Sequence, residues 1–73
     1  MTIKCRTREF KTYEDAEAYA SQRGGAALSM PGARYLAIST RDCTRIDRAG
    51  GPETARFVGR RQRGGIRIIA VGR

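Results

Sequence analysis

The sequence predicts a small single domain of the α+β class spanning residues 1–73: an antiparallel sheet of three to four strands packed by one or two helices. Three observations carry this expectation. Residues 2–11 alternate with a period of two, residues 12–24 carry both end signals of a helix, and Ile66 to Val71 form the most apolar hexapeptide of the chain.

In TIKCRTREFK, residues 2–11, Ile3, Cys5 and Thr7 alternate with Lys4, Arg6, Arg8 and Phe10, the signature of a strand with one wet face. Thr12 then stands as an N-cap with Asp15 in the capping-box position, and Glu14, Asp15 and Glu17 suit the positive end of a helix. Tyr13, Ala16, Tyr19, Ala20 and Arg23 follow helical spacing, with Tyr13 and Tyr19 on the expected buried face, and Gly24 supplies a left-handed stop, so the helix runs from about Tyr13 to Arg23.

GGAALSMPGA reads as a loop, with Ala26 to Met30 able to add a short extended piece. Residues 34–40, RYLAIST, form the next strand, with Leu36 and Ile38 on one face and Tyr35 and Ala37 on the other. A turn at Arg41 and Asp42 leads to CTRID, a weaker strand around Ile46, and the two make a hairpin.

Residues 52–63, PETARFVGRRQR, carry two patterns. As a helix, Pro52 takes the first position, Glu53 the first turn, Arg60, Arg61 and Arg63 the end, and Gly64 the stop. As a strand, Thr54, Arg56, Val58 and Arg60 alternate with Ala55, Phe57 and Gly59, and QRGG becomes a hairpin loop. The end signals favour the helix; Thr54, Phe57, Val58 and Gly59 oppose it. Ile66 to Val71, apolar on both faces apart from Arg67, reads as a central strand. With the helix, the order becomes β-α-β-β-α-β, the ferredoxin-like arrangement. With the strand, one helix lies over an antiparallel sheet.

Seventy-three residues with a net charge of +8 place a thin core under a strongly cationic surface. Thirteen of the fifteen basic residues are arginine, whose planar fork matches phosphate and carboxylate oxygens, although a coding bias accounts equally well for arginine over lysine. Bias does not account for the net charge. Residues 50–73 hold six arginines against Glu53 alone. On a helix Arg56, Arg60 and Arg63 form one stripe; on a hairpin Arg56 and Arg60 share a face.

The expected function is a non-enzymatic basic module engaging the backbone of DNA or RNA through Arg56, Arg60, Arg61, Arg63 and Arg67, assisted by Lys4, Arg6 and Arg8. The alternative is a protein-binding inhibitor or adaptor of the kind mobile elements and phages direct at host nucleic-acid machinery, its arginines meeting an acidic surface. A homodimer is a further partner that so small a core allows.

Catalysis and cofactors are not expected. Histidine is absent, and Cys5 and Cys43 belong to no Cys-x-x-Cys or Cys/His set, so no metal ligands are assigned. Arg41 and Arg45 flank Cys43 and should lower its pKa, but no base accompanies it. Asp42 and Asp47 each neighbour an arginine and read as surface ion pairs. Gly59 and Gly64 have phosphate-loop spacing, but Gly65 and Ile66 stand where Lys and Ser or Thr are needed. The repeated Arg-Gly-Gly-like stretches coincide with element ends, where glycine serves turns. With no apolar run of membrane-spanning length and no charged-then-apolar leader, the expectation is a cytoplasmic chain with reduced cysteines and no membrane partner.

Overall fold

The alternating stretch at the start of the chain divides between two sheets. A computed structural model describes residues 1–59 and 63–72, with Arg63 described by its backbone alone. β1 (Thr2–Arg6) pairs antiparallel with β6 (Ile66–Ala70), which also pairs antiparallel with β5 (Arg56–Val58). β2 (Arg8–Phe10) and β3 (Ala26–Met30) flank β4 (Arg34–Ile38), again antiparallel. The two sheets thus have the orders β1-β6-β5 and β2-β4-β3. At the seam, Thr7 N–H donates to Gly65 O at 2.9 Å before the chain crosses from one sheet to the other.

The helix α1 (Tyr13–Gln22) begins where the sequence places it, with Thr12 Oγ1 accepting from Asp15 N–H at 3.2 Å. Arg23 is its C-cap and Gly24 follows at φ +66°. Ala16 and Ala20 are buried on the face of the second sheet that carries Ala27 and Ala37, and short side chains on both sides bring helix and sheet close. Of the expected buried face, Tyr19 is half-buried, but Tyr13 is 45% exposed, its ring edge-on to Tyr35 at 6.4 Å. Ala26 to Met30 is a full strand rather than part of a loop.

Two expected elements are corrected. The hairpin through CTRID is a helix, α2 (Thr40–Ala49): Ser39 caps it by accepting from Asp42 N–H at 3.2 Å, and Gly50 ends it. Cys43, Ile46 and Ala49 recur every three residues and turn towards the core, which a strand could not bring to one side. The helix favoured over 52–63 does not form. Pro52–Thr54 makes a single 3-10 turn, and Arg56–Val58 is then drawn into the sheet opposite Ile68 to Ala70. Residues 60–62 lie outside the described residues. The class is α+β, as expected, but the ferredoxin-like order is not found, because β1 and β2 belong to separate sheets and β5 adds a strand.

One buried cluster joins the sheets. Residues directly opposite in an antiparallel pair share a face, so Ile3, Cys5, Ile69 and Phe57 look out of the first sheet towards Leu28, Met30, Leu36 and Ile38 of the second, with Ile46 of α2 between them. The second sheet is therefore covered twice, by α1 and by the first sheet with α2. Among the described residues no α-helix packs on the outer face of the first sheet.

Candidate functional site

The register of the first sheet decides which basic residues stand together. Lys4 and Val58 are both opposite Ile68, which stands between them; Arg6 is opposite Ile66; Arg56 and Thr2 are both opposite Ala70. Lys4, Arg6 and Arg56 consequently share the uncovered outer face, and all three are exposed. On a rise of about 3.3 Å and a strand spacing of about 4.8 Å, Lys4 and Arg6 stand about 7 Å apart, with Arg56 about 12 Å from Lys4. Among the described residues none of the three has an ion-pair partner. Half-buried Val58, Ile66 and Ile68 share the face with them, Ile68 between Lys4 and β5, and no carboxylate belongs to it among the described strand residues.

Arg67 takes the other side of β6. Opposite Cys5, it points between the sheets, where its Nη1 donates to Glu9 Oε1 at 2.9 Å and its guanidinium lies 4.3 Å from the Phe57 ring centre. Its side chain is only 17% exposed. Arg34 approaches the same carboxylate at 4.0 Å and the same ring at 5.1 Å. Arg67 is thus committed to the seam and is not brought together with Lys4, Arg6 and Arg56. Arg60 and Arg61 lie outside the described residues, and Arg63 is placed only as backbone in the 3-10 turn Arg63–Gly65.

Arg8 stands around a corner from the outer face. An open cleft of about 700 Å³ is set where the two sheets part, walled by Arg6, Arg8 and Arg23 with Tyr19, Ile38 and Gly65. The Arg8 and Arg23 guanidiniums lie 4.8 and 4.0 Å from the centre of the Tyr19 ring. Two glycines let the walls close in: a side chain at Gly25 would strike the Ile38 carbonyl, and one at Gly65, at φ +75°, would stand 2.9 Å from Thr7 O. Ser39, the N-cap of α2, also borders the cleft, and among the described residues no carboxylate does.

Arg23 is the site residue that sequence reasoning passed over. As part of Arg23-Gly24-Gly25 it carries the marks of a helix end, which it is; only the fold brings it beside Arg8. Five of the seven acids are held elsewhere. Glu14, Asp15 and Glu17 are on α1, Asp42 pairs with Arg45 at 3.2 Å, and Glu9 serves the seam.

Both thiols are ill suited to act as nucleophiles. Burial pushes Cys5 up to about 11, Asp42 adding to the rise and Arg45 opposing it. Cys43 is also raised, by burial and then by Asp47, so the lowering expected from Arg41 and Arg45 is overturned. Its side chain is half-buried against the core, away from the solvent that would favour a thiolate.

Among the described residues no group of three or more His, Cys, Asp and Glu side chains could hold a metal ion, and no helix is long and apolar enough to cross a membrane. Comparison with protein-family models, curated proteins and solved structures returns no match.

Proposed function

We propose that the domain is a non-enzymatic module that binds the phosphate backbone of nucleic acid on the outer face of β1-β6-β5. The observation that carries this reading is the grouping of exposed Lys4, Arg6 and Arg56 on one sheet face that, among the described residues, has no cover and no carboxylate, continued around the corner by Arg8. Each of these cations can replace a condensed counterion on a polyanion, and the release of those counterions drives association. Arg60, Arg61 and Arg63, which follow β5 in the sequence, add to the same cationic balance. Among the described strand residues of the face there is no aromatic ring for stacking on bases and no Asn or Gln to read base edges, so phosphate contacts dominate and discrimination between sequences is low.

A second reading rests on Ile66 and Ile68 of the central strand and Val58 beside them on β5, all half-buried on this face. An aliphatic centre with a cationic rim also fits an acidic protein surface, the arrangement an inhibitor of nucleic-acid machinery would use.

Titration of labelled duplex and single-stranded oligonucleotides at several salt concentrations separates the two. With Lys4, Arg6, Arg8 and Arg56 each neutralising one phosphate, log affinity for duplex falls against log salt with a slope near −3.6. Arg56→Ala flattens that slope by about one unit. Absence of binding at low salt overturns the backbone reading. A partner complex that survives nuclease and loses affinity on Ile68→Ala then establishes the protein-binding one.

A further inference from the structure

The cleft beside the open face has a different character from the face itself. Lys4, Arg6 and Arg56 are spread over a flat surface, whereas one concave space is bordered by Arg6, at the edge of that surface, together with Arg8 and Arg23. Arg8 and Arg23 are held there by the same Tyr19 ring, which puts their guanidinium carbons within about 9 Å of each other. That separation is comparable to the ~8–10 Å over which charges act together at ordinary salt. Like charges are thus gathered, with no carboxylate among the described residues of the wall to compensate them.

A backbone phosphodiester, with a single negative charge, matches one guanidinium. A phosphomonoester carries about −1.5 to −2 charges at neutral pH and presents three oxygens that accept strong hydrogen bonds. Three arginine forks around one space are suited to that group, and arginine grips such oxygens two at a time. The rest of the cleft fits an organic body attached to the phosphate: Ala20, Ala37 and Ile38 supply apolar wall, and about 700 Å³ lies within the range of small-ligand sites.

We infer that this cleft is a phosphomonoester site, taking the phosphate of a nucleotide among Arg6, Arg8 and Arg23 with its sugar and base against the apolar wall. The nucleotide is either free or the 5′-phosphorylated end of a strand. The inference goes beyond the backbone reading, since internal phosphodiesters on a flat sheet face need no cleft, no Arg23 and no Tyr19.

Three measurements test it, the first two on the unaltered protein at 0.15 M salt. Fluorescence polarisation compares one oligonucleotide with a 5′-phosphate and with a 5′-hydroxyl, and calorimetry compares adenosine 5′-monophosphate with adenosine. A tenfold or greater preference for the phosphorylated strand identifies strand ends as the ligand. Binding of the mononucleotide but not the nucleoside, with no preference between strand ends, identifies a free nucleotide. The third measurement repeats whichever preference is found in Arg23→Gln and in Arg48→Gln, which lowers the net charge equally on the exposed side of α2, with circular dichroism confirming that both variants fold. The preference disappears in Arg23→Gln and persists in Arg48→Gln. Equal binding of the two strands, together with no heat from the mononucleotide at millimolar concentration, overturns the inference. The salt slope of unphosphorylated duplex stands apart from that result, so the backbone reading can survive the loss of the cleft, and the cleft the loss of the backbone reading.

Discussion

The sheet β2-β4-β3 is covered on both faces, by α1 on one side and by the other sheet with α2 on the second; the sheet β1-β6-β5 is covered on one face only. The sheet with two covers uses alanines and branched aliphatics on either side of β4, where Leu36, Ala37 and Ile38 are all buried. The sheet with one cover keeps Ile3, Cys5 and Ile69 inside and puts Lys4, Arg6 and Arg56 outside. Its open face nonetheless retains Val58, Ile66 and Ile68, which solvent alone would not favour. The contrast shows where the net charge of +8 becomes effective. Glu14, Asp15 and Glu17 accompany the covered sheet and Glu9 the seam, while the strand residues described on the open face include cations and no acid.

The largest expected effect tests the two sides of β6 directly. Ile69 is fully buried between the sheets, while its neighbour Ile68 looks outward and is half-buried. Ile69→Ala should cost about 3–4 kcal/mol, a large part of what so small a domain possesses, because a cavity is left among fixed neighbours. Ile68→Ala should cost about 1 kcal/mol, since solvent fills the space. Denaturant melts in which Ile68→Ala is as damaging as Ile69→Ala would mean that the outer face is covered after all.

A smaller effect reports on the inner side of β1. The buried Cys5 thiol has its pKa raised from an ordinary 9.0 to about 11. Between those values the unfolded chain has released the proton and the folded chain still holds it, so unfolding is favoured as pH rises. Stability is full below about pH 9 and falls by about 2 kcal/mol on passing to pH 11. Cys5→Ala removes this component from the alkaline loss, which comparison of melts at pH 8 and pH 11 measures. An unchanged pH dependence would place Cys5 in contact with solvent, on the open side.

The seam between the sheets should respond more weakly still. Glu9 accepts from Arg67 at 2.9 Å and lies 4.0 Å from Arg34, and its own side chain is 39% exposed, so water screens the pairs. Glu9→Gln is expected to lower stability by about 1 kcal/mol and to leave the salt slope for duplex unchanged, because both arginines stay on the inner side. A steeper slope in the variant would show that Arg67 swings out to join the open face.

How far the sequence reveals this arrangement follows the reach of each signal. The cap at Thr12 and the stop at Gly24 act within one turn, and α1 begins and ends where they stand. The seam at Thr7 is silent, because Ile3, Cys5 and Thr7 stay buried, and Lys4, Arg6 and Arg8 exposed, on both sides of the crossing, with no Gly or Pro to mark it. In α2 the signal was present and misread. Ser39 and Asp42 form a capping pair and Gly50 a stop, but β-branched Thr40 and Thr44 and a single large apolar residue, Ile46, leave the helical period faint. For Pro52 to Gly64 the end signals are those of a helix, yet pairing of Phe57 with Ile69 across the sheet overrides them. The same long-range choice removes Arg67 from the expected ridge, since one register step decides which face a strand residue takes. Lys4, Arg6 and Arg8 were legible from alternation alone; Arg23 depended on the fold.

The smallest expected effect bears on whether the two sides of the molecule are electrically separate. Glu17 lies on α1, beyond the second sheet from the open face, and the layers between them span about 20 Å at ~10 Å per packed layer. That is about two Debye lengths at 0.15 M salt, so the Glu17 charge is largely screened where a polyanion would lie. Glu17→Gln raises the net charge by one, as does Glu53→Gln on the 3-10 turn two residues before β5. If the open face is the binding surface, Glu17→Gln should change duplex affinity by less than about twofold, with an unaltered salt slope, and the gain from Glu53→Gln should be the greater. Equal gains from the two substitutions would mean that affinity follows net charge alone, and that the polyanion has no preferred side of the domain.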